Sequence, residues 1–397
     1  MINCAQSSAA IADQRDALIN FTQRIVATPS LSGEEGDVAA IIVAELKKLS
    51  FDDVWTDAVG NIVGKINGGG GPSVMLNGHM DVVDPGPADG WPHPAYSGAI
   101  VDGHLWGRGS VDMKGPVAAM IYGAASYKKL SIAPAGDIFM TGAVSEEIGG
   151  LGSEFLMRDF SADAAIVGEP SSNQLRIGHR GRIELQVKFK GRSAHASAPH
   201  LGTNPHFAAA KFLQKLDQLP LANDDILGPA TIAPTLYETD QVSSNVIPSE
   251  AIVFLDWRNV PSETPSHAVA ELEKLAADCG ECEVSVTRQL RKTYPGPSQD
   301  FASIFPPFAT ASNHALVKAV TPIIAEATGA PGKPDVWKFA TDGGHIHAAG
   351  IPVIGIGPGD DALAHTNQER IAIADLELGC AIYGPMIGAM MESITSS

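Results

Sequence analysis

Cysteine is scarce in this chain, with four among 397 residues, at Cys4, Cys279, Cys282 and Cys380. Cysteines so few and so scattered exclude a disulfide scaffold. Cys279 and Cys282 have CxxC spacing, but no second pair completes a zinc knuckle, and their place at the end of a helical pattern favours a structural role. Basic residues are short as well. Lys and Arg total 27 against 45 Asp and Glu, a formal charge of −18. Nucleic acid and anionic membranes need clustered Lys and Arg, so neither is expected as a partner. The acidity itself reads first as solubility. No apolar run approaches the ~18 residues that span a bilayer, and the N-terminus lacks a basic stretch followed by an apolar one. The expected location is the cytoplasm. Internal repeats are missing too, and the only low-complexity stretch is the glycine run 68–71.

What remains is an ordinary globular composition, 44% hydrophobic and 18% charged, in a chain long enough for two domains. Apolar positions at helical spacing cover 8–28 and 38–49. Pro29-Ser30-Leu31-Ser32-Gly33 separates them, and Ser32 is placed to cap the second helix. Strands are expected at 53–55, 61–66 and 74–76, then a helix rich in small residues over 113–130, then strands at 137–141 and 164–167. After 178 the rhythm changes. Alternating Ile183, Leu185, Val187 and Phe189 mark a half-buried strand, followed by helix 204–219, strands 230–237 and 250–257, helix 265–278 and strand 281–286. The order βαββαβ is the ferredoxin-like arrangement. It reads as a domain, 180–293, inserted into a discontinuous one made of 1–179 and 294–397. The α/β pattern then returns with helix 314–327, strand 353–356 and a closing helix, 373–391.

Three of these strands deliver acids or a histidine at their C-terminal ends. The first leads to His79 and Asp81, whose side chains point the same way on extended backbone. Asp112 follows on the glycine-punctuated turn Gly107-Arg108-Gly109-Ser110-Val111-Asp112-Met113-Lys114-Gly115. The second strand runs into Ser145-Glu146-Glu147-Ile148-Gly149-Gly150, and the third ends at Gly168-Glu169-Pro170. In open α/β sheets that edge is where ligands bind. Together with His365, the candidate metal donors are His79, Asp112, Glu147 and Glu169. Two imidazoles and three carboxylates suit two divalent ions of zinc type, one carboxylate bridging. Ions ~3.5 to 4 Å apart lower the pKa of a shared water to near neutral and polarise a carbonyl. Glu146, beside a donor, can take the proton of that water and pass it to a leaving amine, and Asp81 can orient His79. Taken alone, His79 also reads as a core histidine beside loop aspartates, and Glu146 as a solvated acid.

His79-Met80-Asp81, the 107–115 turn, Ser145-Glu146-Glu147 with its following glycines, Gly168-Glu169-Pro170 and His365-Thr366-x-x-Glu369 occur in that order. Together they resemble the zinc-dependent aminoacylase and carboxypeptidase family, which includes glutamate carboxypeptidase, acetylornithine deacetylase and succinyl-diaminopimelate desuccinylase. The resemblance covers essentially the whole chain. It implies an α/β fold, a mixed-sheet metallohydrolase core with an inserted ferredoxin-like (βαββαβ) lid and dimerisation domain, and hinges near 178–182 and 293–297. It further implies that Asp112 bridges two Zn2+ per subunit, His79 and Glu169 completing one ion, and Glu147 and His365 the other. Glu146 becomes the general base and Asp81 the residue that orients His79. Cobalt or manganese can substitute in such a carboxylate-rich site.

In the insertion, the resemblance makes His195 the residue that helps hold the substrate carbonyl or its oxyanion. In dimeric relatives its equivalent reaches the neighbouring subunit's site; read alone, it is a loop histidine. Asn245 and Arg258 match residues that contact the carboxylate side of the substrate, although Arg258 can also simply pair with Asp256. Arg180, Thr341, Gly357 and Gly359 are further pocket candidates. One departure concerns the substrate. Several relatives carry an arginine shortly after Thr-Asp-Gly, whereas this chain has His345 and His347, which either reshape the pocket or only pack.

The function expected is a two-zinc hydrolase that cleaves the amide bond of an N-acyl amino acid or a C-terminal peptide-like substrate, acting as a homodimer through the lid domain. The alternative is a non-hydrolytic, metal-dependent binding protein for small carboxylate ligands. Glu146 argues against it, since binding alone needs no proton shuttle. A two-metal phosphoesterase is a third reading, disfavoured by the inserted domain.

Overall fold

The computed structural model describes residues 1–396. The chain divides into two units. The first comprises Met1–His179, Leu290–Gln299 and the chain from Phe308 onward; the second comprises Arg180–Gln289 and Asp300–Pro307.

In the first unit the apolar pattern over 8–28 resolves into two helices, α1 (Cys4–Asp13) and α2 (Arg15–Val26), parted at Gln14. Asn3 and Gln6 close a capping box at the start of α1. Helix α3 (Gly36–Lys48) corrects the expectation for Ser32. Its N-cap is Glu35, and the Ser32 hydroxyl instead donates to Asp81 Oδ2 at 2.6 Å. A buried carboxylate is the stronger acceptor, so it takes the hydroxyl away from the helix end. Next come β1 (Asp53–Thr56), β2 (Ile62–Ile66), β3 (Gly71–His79), α4 (Lys114–Lys129), β4 (Gly136–Ala143), α5 (Leu151–Leu156), β5 (Ala164–Val167) and β6 (Arg176–His179).

The second unit runs β7 (Arg182–Lys190), α6 (Pro205–Leu216), β8 (Thr231–Thr239), β9 (Glu250–Arg258), α7 (Pro265–Ala276) and β10 (Cys282–Val286). Asn204 and Thr264 cap the two helices, each followed by proline at the first helical position. The antiparallel order is β8-β9-β7-β10, the ferredoxin-like one. The alternation seen in the sequence puts Ile183, Leu185, Val187 and Phe189 into one buried cluster with Phe212, Trp257 and Leu272. The boundary drawn at 293/294 needs correction. Residues 300–307 belong to this unit, because β11 (Ile304–Phe305) pairs with β7, Ile304 opposite Ile183.

Back in the first unit lie β12 (Phe308–Ala309), α8 (Ala315–Thr328), β13 (Asp335–Trp337), α9 (Gly343–Ala348), β14 (Val353–Gly355) and α10 (Ile373–Thr395). The nine-stranded mixed sheet is ordered β1-β2-β4-β3-β5-β14-β6-β12, with β13 also on β6. Strands β4, β3, β5 and β14 are mutually parallel, so their C-terminal ends share one edge. Buried throughout, β5 reads as a continuous apolar run, as strands covered on both faces do. By length and composition α10 could cross a bilayer, which corrects the reading that no stretch approaches that size. Within the fold, 72% of its most apolar window is buried, and it packs on α1, α4, α8 and β3. The contact with α4 is close enough to require Gly123, where a Cβ would lie 2.7 Å from that of Tyr383.

Leu185 is fully buried among α6, α7 and the β7 face. Leu185→Ala is expected to destabilise the second unit by about 2–5 kcal/mol in denaturant titrations followed by Trp fluorescence. Metal uptake by the first unit should be unchanged.

Candidate metal centre

The shared edge of the parallel strands gathers the side chains that the sequence singled out. His79 ends β3, Glu146 and Glu147 follow β4, Glu169 follows β5, and the segment after β14 leads to His365. Asp112 comes from the turn before α4. Two groups of potential donor atoms result, each lying within 4.8 Å of one another. One is His79, Asp112 and Glu169; the other is Asp112, Glu147 and His365. Asp112 belongs to both.

His79 is buried, with Nδ1 2.9 Å from the backbone oxygen of Asp81 and Nε2 3.0 Å from Asp112 Oδ1. A carbonyl only accepts, so Nδ1 carries the proton and Nε2 is the atom available to a cation. Glu169 Oε1 stands 3.6 Å from the same Nε2. His365 Nε2 lies 3.2 Å from Asp112 Oδ2 and 3.0 Å from Glu147 Oε2. Both rings thus aim Nε2 at carboxylates. Glu147 Oε1 is buried without a hydrogen-bond partner. That orphaned oxygen, with the N and O donors around Asp112, fits divalent cations of the zinc type.

The role expected of Asp81 changes in detail. Its main-chain oxygen orients His79, while its carboxylate lies 3.5 Å from Nδ1. That carboxylate collects the backbone N–H groups of Glu146 at 3.0 Å and Glu147 at 3.1 Å, besides the Ser32 hydroxyl. It therefore fixes the two consecutive glutamates. Glu35, to which the sequence analysis gave no role at the site, accepts from Gly33 N at 2.9 Å and Ser145 N at 3.0 Å. Its place in the Ser32-Gly33-Glu34-Glu35 turn was the available signal.

The acids are strongly perturbed. Burial, then the neighbouring carboxylates, push Glu146, Glu147 and Glu169 above the ordinary range. Asp342 is raised to about 7, chiefly by burial. Burial would raise Asp112, but the His365 and His79 hydrogen bonds hold it well below the usual carboxylate value. Hydrogen bonds to Asp112 and Glu147 lift His365 to about 10. Burial lowers His79, and the Asp112 and Asp81 carboxylates more than reverse that. General acid–base chemistry draws on a carboxylate whose surroundings raise its affinity for a proton, and burial makes Glu146 such a group.

Other candidates lie elsewhere. Thr341 is buried, its N–H donating to His179 Nε2 at 3.1 Å. A Cβ on Gly357 would sit 2.1 Å from Gly168 O and 2.5 Å from Glu169 O, so this glycine lets the His365 segment press on the Glu169 turn. Gly359, at φ +97°, lies against Val111. His345 is buried, with Nε2 3.3 Å from Gly149 O, behind the Glu146-Glu147 turn, and His347 tilts on Phe308 at 6.0 Å between ring centroids. The remaining four belong to the second unit. His195 is exposed and accepts from the Ser197 hydroxyl at 2.7 Å through Nδ1. Asn245 is exposed and accepts from Ser243 at 2.6 Å. Arg258 pairs with Asp256 at 2.6 Å, and Arg180 donates to Pro229 O at 3.0 Å.

The sequence model of Peptidase family M20/M25/M40 matches residues 75–388. The uncharacterized protein YgeY of Escherichia coli K12 is 31% identical over 379 residues, 94% of each chain. Among solved structures, aminopeptidase PepT of Bacillus cereus superposes with a TM-score of 0.74 at 19% identity, over 95% of this chain and 98% of that one. The M20 family metallo-carboxypeptidase Sso-CP2 of Sulfolobus solfataricus does so with a TM-score of 0.74 at 18% identity, over 95% and 98%. YXEP of Bacillus subtilis, a dinuclear metal-binding peptidase, gives 0.69 at 14% identity, over 96% and 99%. These three likenesses are likenesses of fold.

Metal ligation needs His79 and His365 with a free Nε2 and the carboxylates ionised, so ions compete with protons for the same atoms. With folded-state values above their unfolded ones, the two histidines and the raised carboxylates stabilise the metal-free chain most at low pH, and that contribution fades as pH rises. Metal stabilisation runs the other way. The rise in melting temperature on adding a fixed zinc concentration should therefore widen from pH 5.5 to pH 8; where that concentration reaches a hundredfold excess over Kd, the stabilisation is about 2.7 kcal/mol per ion. Calorimetric melts with and without a chelator measure this. A gain that shrinks with rising pH would contradict the donor assignment.

Proposed function

We propose that this chain, which belongs to peptidase family M20/M25/M40, is a two-zinc hydrolase that cleaves the amide bond of an N-acyl amino acid or of a C-terminal peptide-like substrate. Membership of the family supports the coarser statement, a metal-dependent hydrolase of the peptidase class. One observation carries the finer one. Two donor groups share Asp112, and the buried Glu146 precedes the donor Glu147 directly in the chain.

His79 and Glu169 would hold one ion, Glu147 and His365 the other, with Asp112 between them. Two ions held there would polarise the scissile carbonyl and acidify a water. Glu146 takes the proton and returns it to the departing amine, and its backbone is kept in place by Asp81 Oδ1. The resemblance assigns substrate contacts to His195, Asn245, Arg258 and Arg180 of the second unit and to Thr341, Gly357 and Gly359 of the first. Glu146 also argues against a protein that only binds carboxylates.

A homodimer through the second unit is part of the proposal. Strand β8 is a sheet edge that leaves Leu236 59% and Tyr237 43% exposed, and Phe207 on α6 is 77% exposed. Long apolar edges are where strands of two copies pair. Leu236→Asp should shift the mass in light scattering from dimer to monomer.

The chemical test is amine release from a panel of N-acyl amino acids and dipeptides by metal-stripped protein, before and after stepwise zinc or cobalt addition. Glu146→Gln is expected to lower kcat by about 10²–10⁴ while two metals still bind. Unchanged turnover of a verified substrate by that variant would refute the mechanism. Silence across the panel, with two metals bound, would favour the binding-protein alternative.

A further inference from the structure

The His365 segment reaches the metal centre twice, once through the imidazole and once through an acid four residues on. Glu369 is fully buried. Its Oε1 accepts the backbone N–H groups of Val111 at 3.0 Å and Asp112 at 3.1 Å, and its Oε2 accepts from Arg108 Nη1 at 2.5 Å. The main chain repeats the attachment, since Gly107 N donates to Glu369 O at 3.1 Å. Arg108 is 3% exposed, and its guanidinium lies 5.2 Å from the Trp91 ring centre. Just beyond, Arg370–Ala372 pairs with His104–Trp106 as antiparallel strands. The turn that presents Asp112 and the turn that presents His365 are thus locked to each other through one carboxylate.

We infer that Glu369 is a positioning residue, which orients the peptide ahead of Asp112 so that each carboxylate oxygen faces a different histidine. The inference rests on the two-metal reading of the site. Asp112 Oδ1 faces His79 at 3.0 Å and Oδ2 faces His365 at 3.2 Å, a split that a rotated backbone would lose. A buried ion pair contributes little net stability compared with an apolar pair of the same shape. Its geometric effect is more specific: an acceptor that takes two successive N–H groups sets the plane of the peptide joining them. Arg108 holds the other oxygen and keeps the carboxylate from turning away. Groups behind the ligands of a metal site typically change metal affinity by about 10–100-fold when removed.

The test separates geometry from mere stability by removing both charges together. Arg108→Met with Glu369→Gln leaves a carbonyl oxygen able to accept both N–H groups; Arg108→Met with Glu369→Leu does not. Each metal-stripped protein is titrated with Co2+, recording heat, the visible Co2+ spectrum and the melting temperature of the metal-free form. The Gln pair should bind two Co2+ with affinities within a few-fold of the parent protein and with its spectrum. The Leu pair should bind both ions about 10–100-fold more weakly, with an altered spectrum, while its metal-free melting temperature matches that of the Gln pair. Glu369→Asp, which keeps the charge for Arg108 but withdraws the oxygen by one methylene, should weaken both ions likewise and serves if the Leu pair does not fold. Parental affinity and spectrum in the Leu pair, or in Glu369→Asp, would overturn the inference. So would weakening of one ion alone, because Asp112 is common to both groups. A parent protein that takes up fewer than two Co2+ would instead refute the two-metal reading.

Discussion

Carboxylates buried beside carboxylates are the constraint on which this molecule is built. Asp112, Glu146 and Glu169 lie out of water at one end of the parallel strands, with Glu147 largely covered beside them. Like charges held so close in a low dielectric repel strongly. The structure answers with two kinds of compensation. Acids at the back of the site collect main-chain N–H groups, Glu35 from Ser145, Asp81 from Glu146 and Glu147, and Glu369 from Val111 and Asp112. Acids at the front are left to the two imidazoles and to one another, and it is there that cations fit.

This division explains the shape of the loops. Ser145 and His365 both adopt left-handed backbone, at φ +56° and +60°, which non-glycine residues hold only when their surroundings over-determine it. Around Ser145 the surroundings are Glu35 and Asp81; after His365 they are Glu369 and the strand that follows it. Glycine is required where turns press on each other, as at Gly357 against Glu169 O. The backbones of Asp112 and Glu147 are therefore placed by carboxylate-to-amide bonds that do not involve their own side chains.

Much of this was legible in the sequence. The period-2 pattern of Ile183 to Phe189 and the apolar runs before His79, Glu146 and Glu169 depend on local chemistry, so strands, insertion and donors could all be read. Bonds between residues far apart in the chain could not. Ser32 had the form of a helix cap, and its preference for Asp81, 49 residues on, is visible only once the strands are assembled. Glu369 was part of a recognisable motif, yet its targets lie 257 and 258 residues away. The return of 300–307 to the second unit rests on a two-residue strand, too short for any periodicity. In α10 a few charged residues interrupt a run that is otherwise apolar on every side, and only the packed fold shows that the helix is a core element.

Of the two sequence readings of Arg258, substrate contact and partner of Asp256, the structure shows the second. Arg258 Nε donates to Asp256 Oδ1 at 2.6 Å and Nη2 to Oδ2 at 3.2 Å, while Arg182 Nε holds Oδ2 at 2.8 Å. Burial would raise Asp256, but Arg258 and Arg182 together keep it below its ordinary value. A guanidinium carries five N–H donors, of which this fork uses two. An arginine aligned on one edge by a carboxylate has lost its rotamer freedom before any ligand arrives, and a second carboxylate on another edge then costs less to bind. In the function proposed, pairing within the unit readies Arg258 for a ligand carboxylate. This fork lies in a different unit from the metal donors, all of which come from the first.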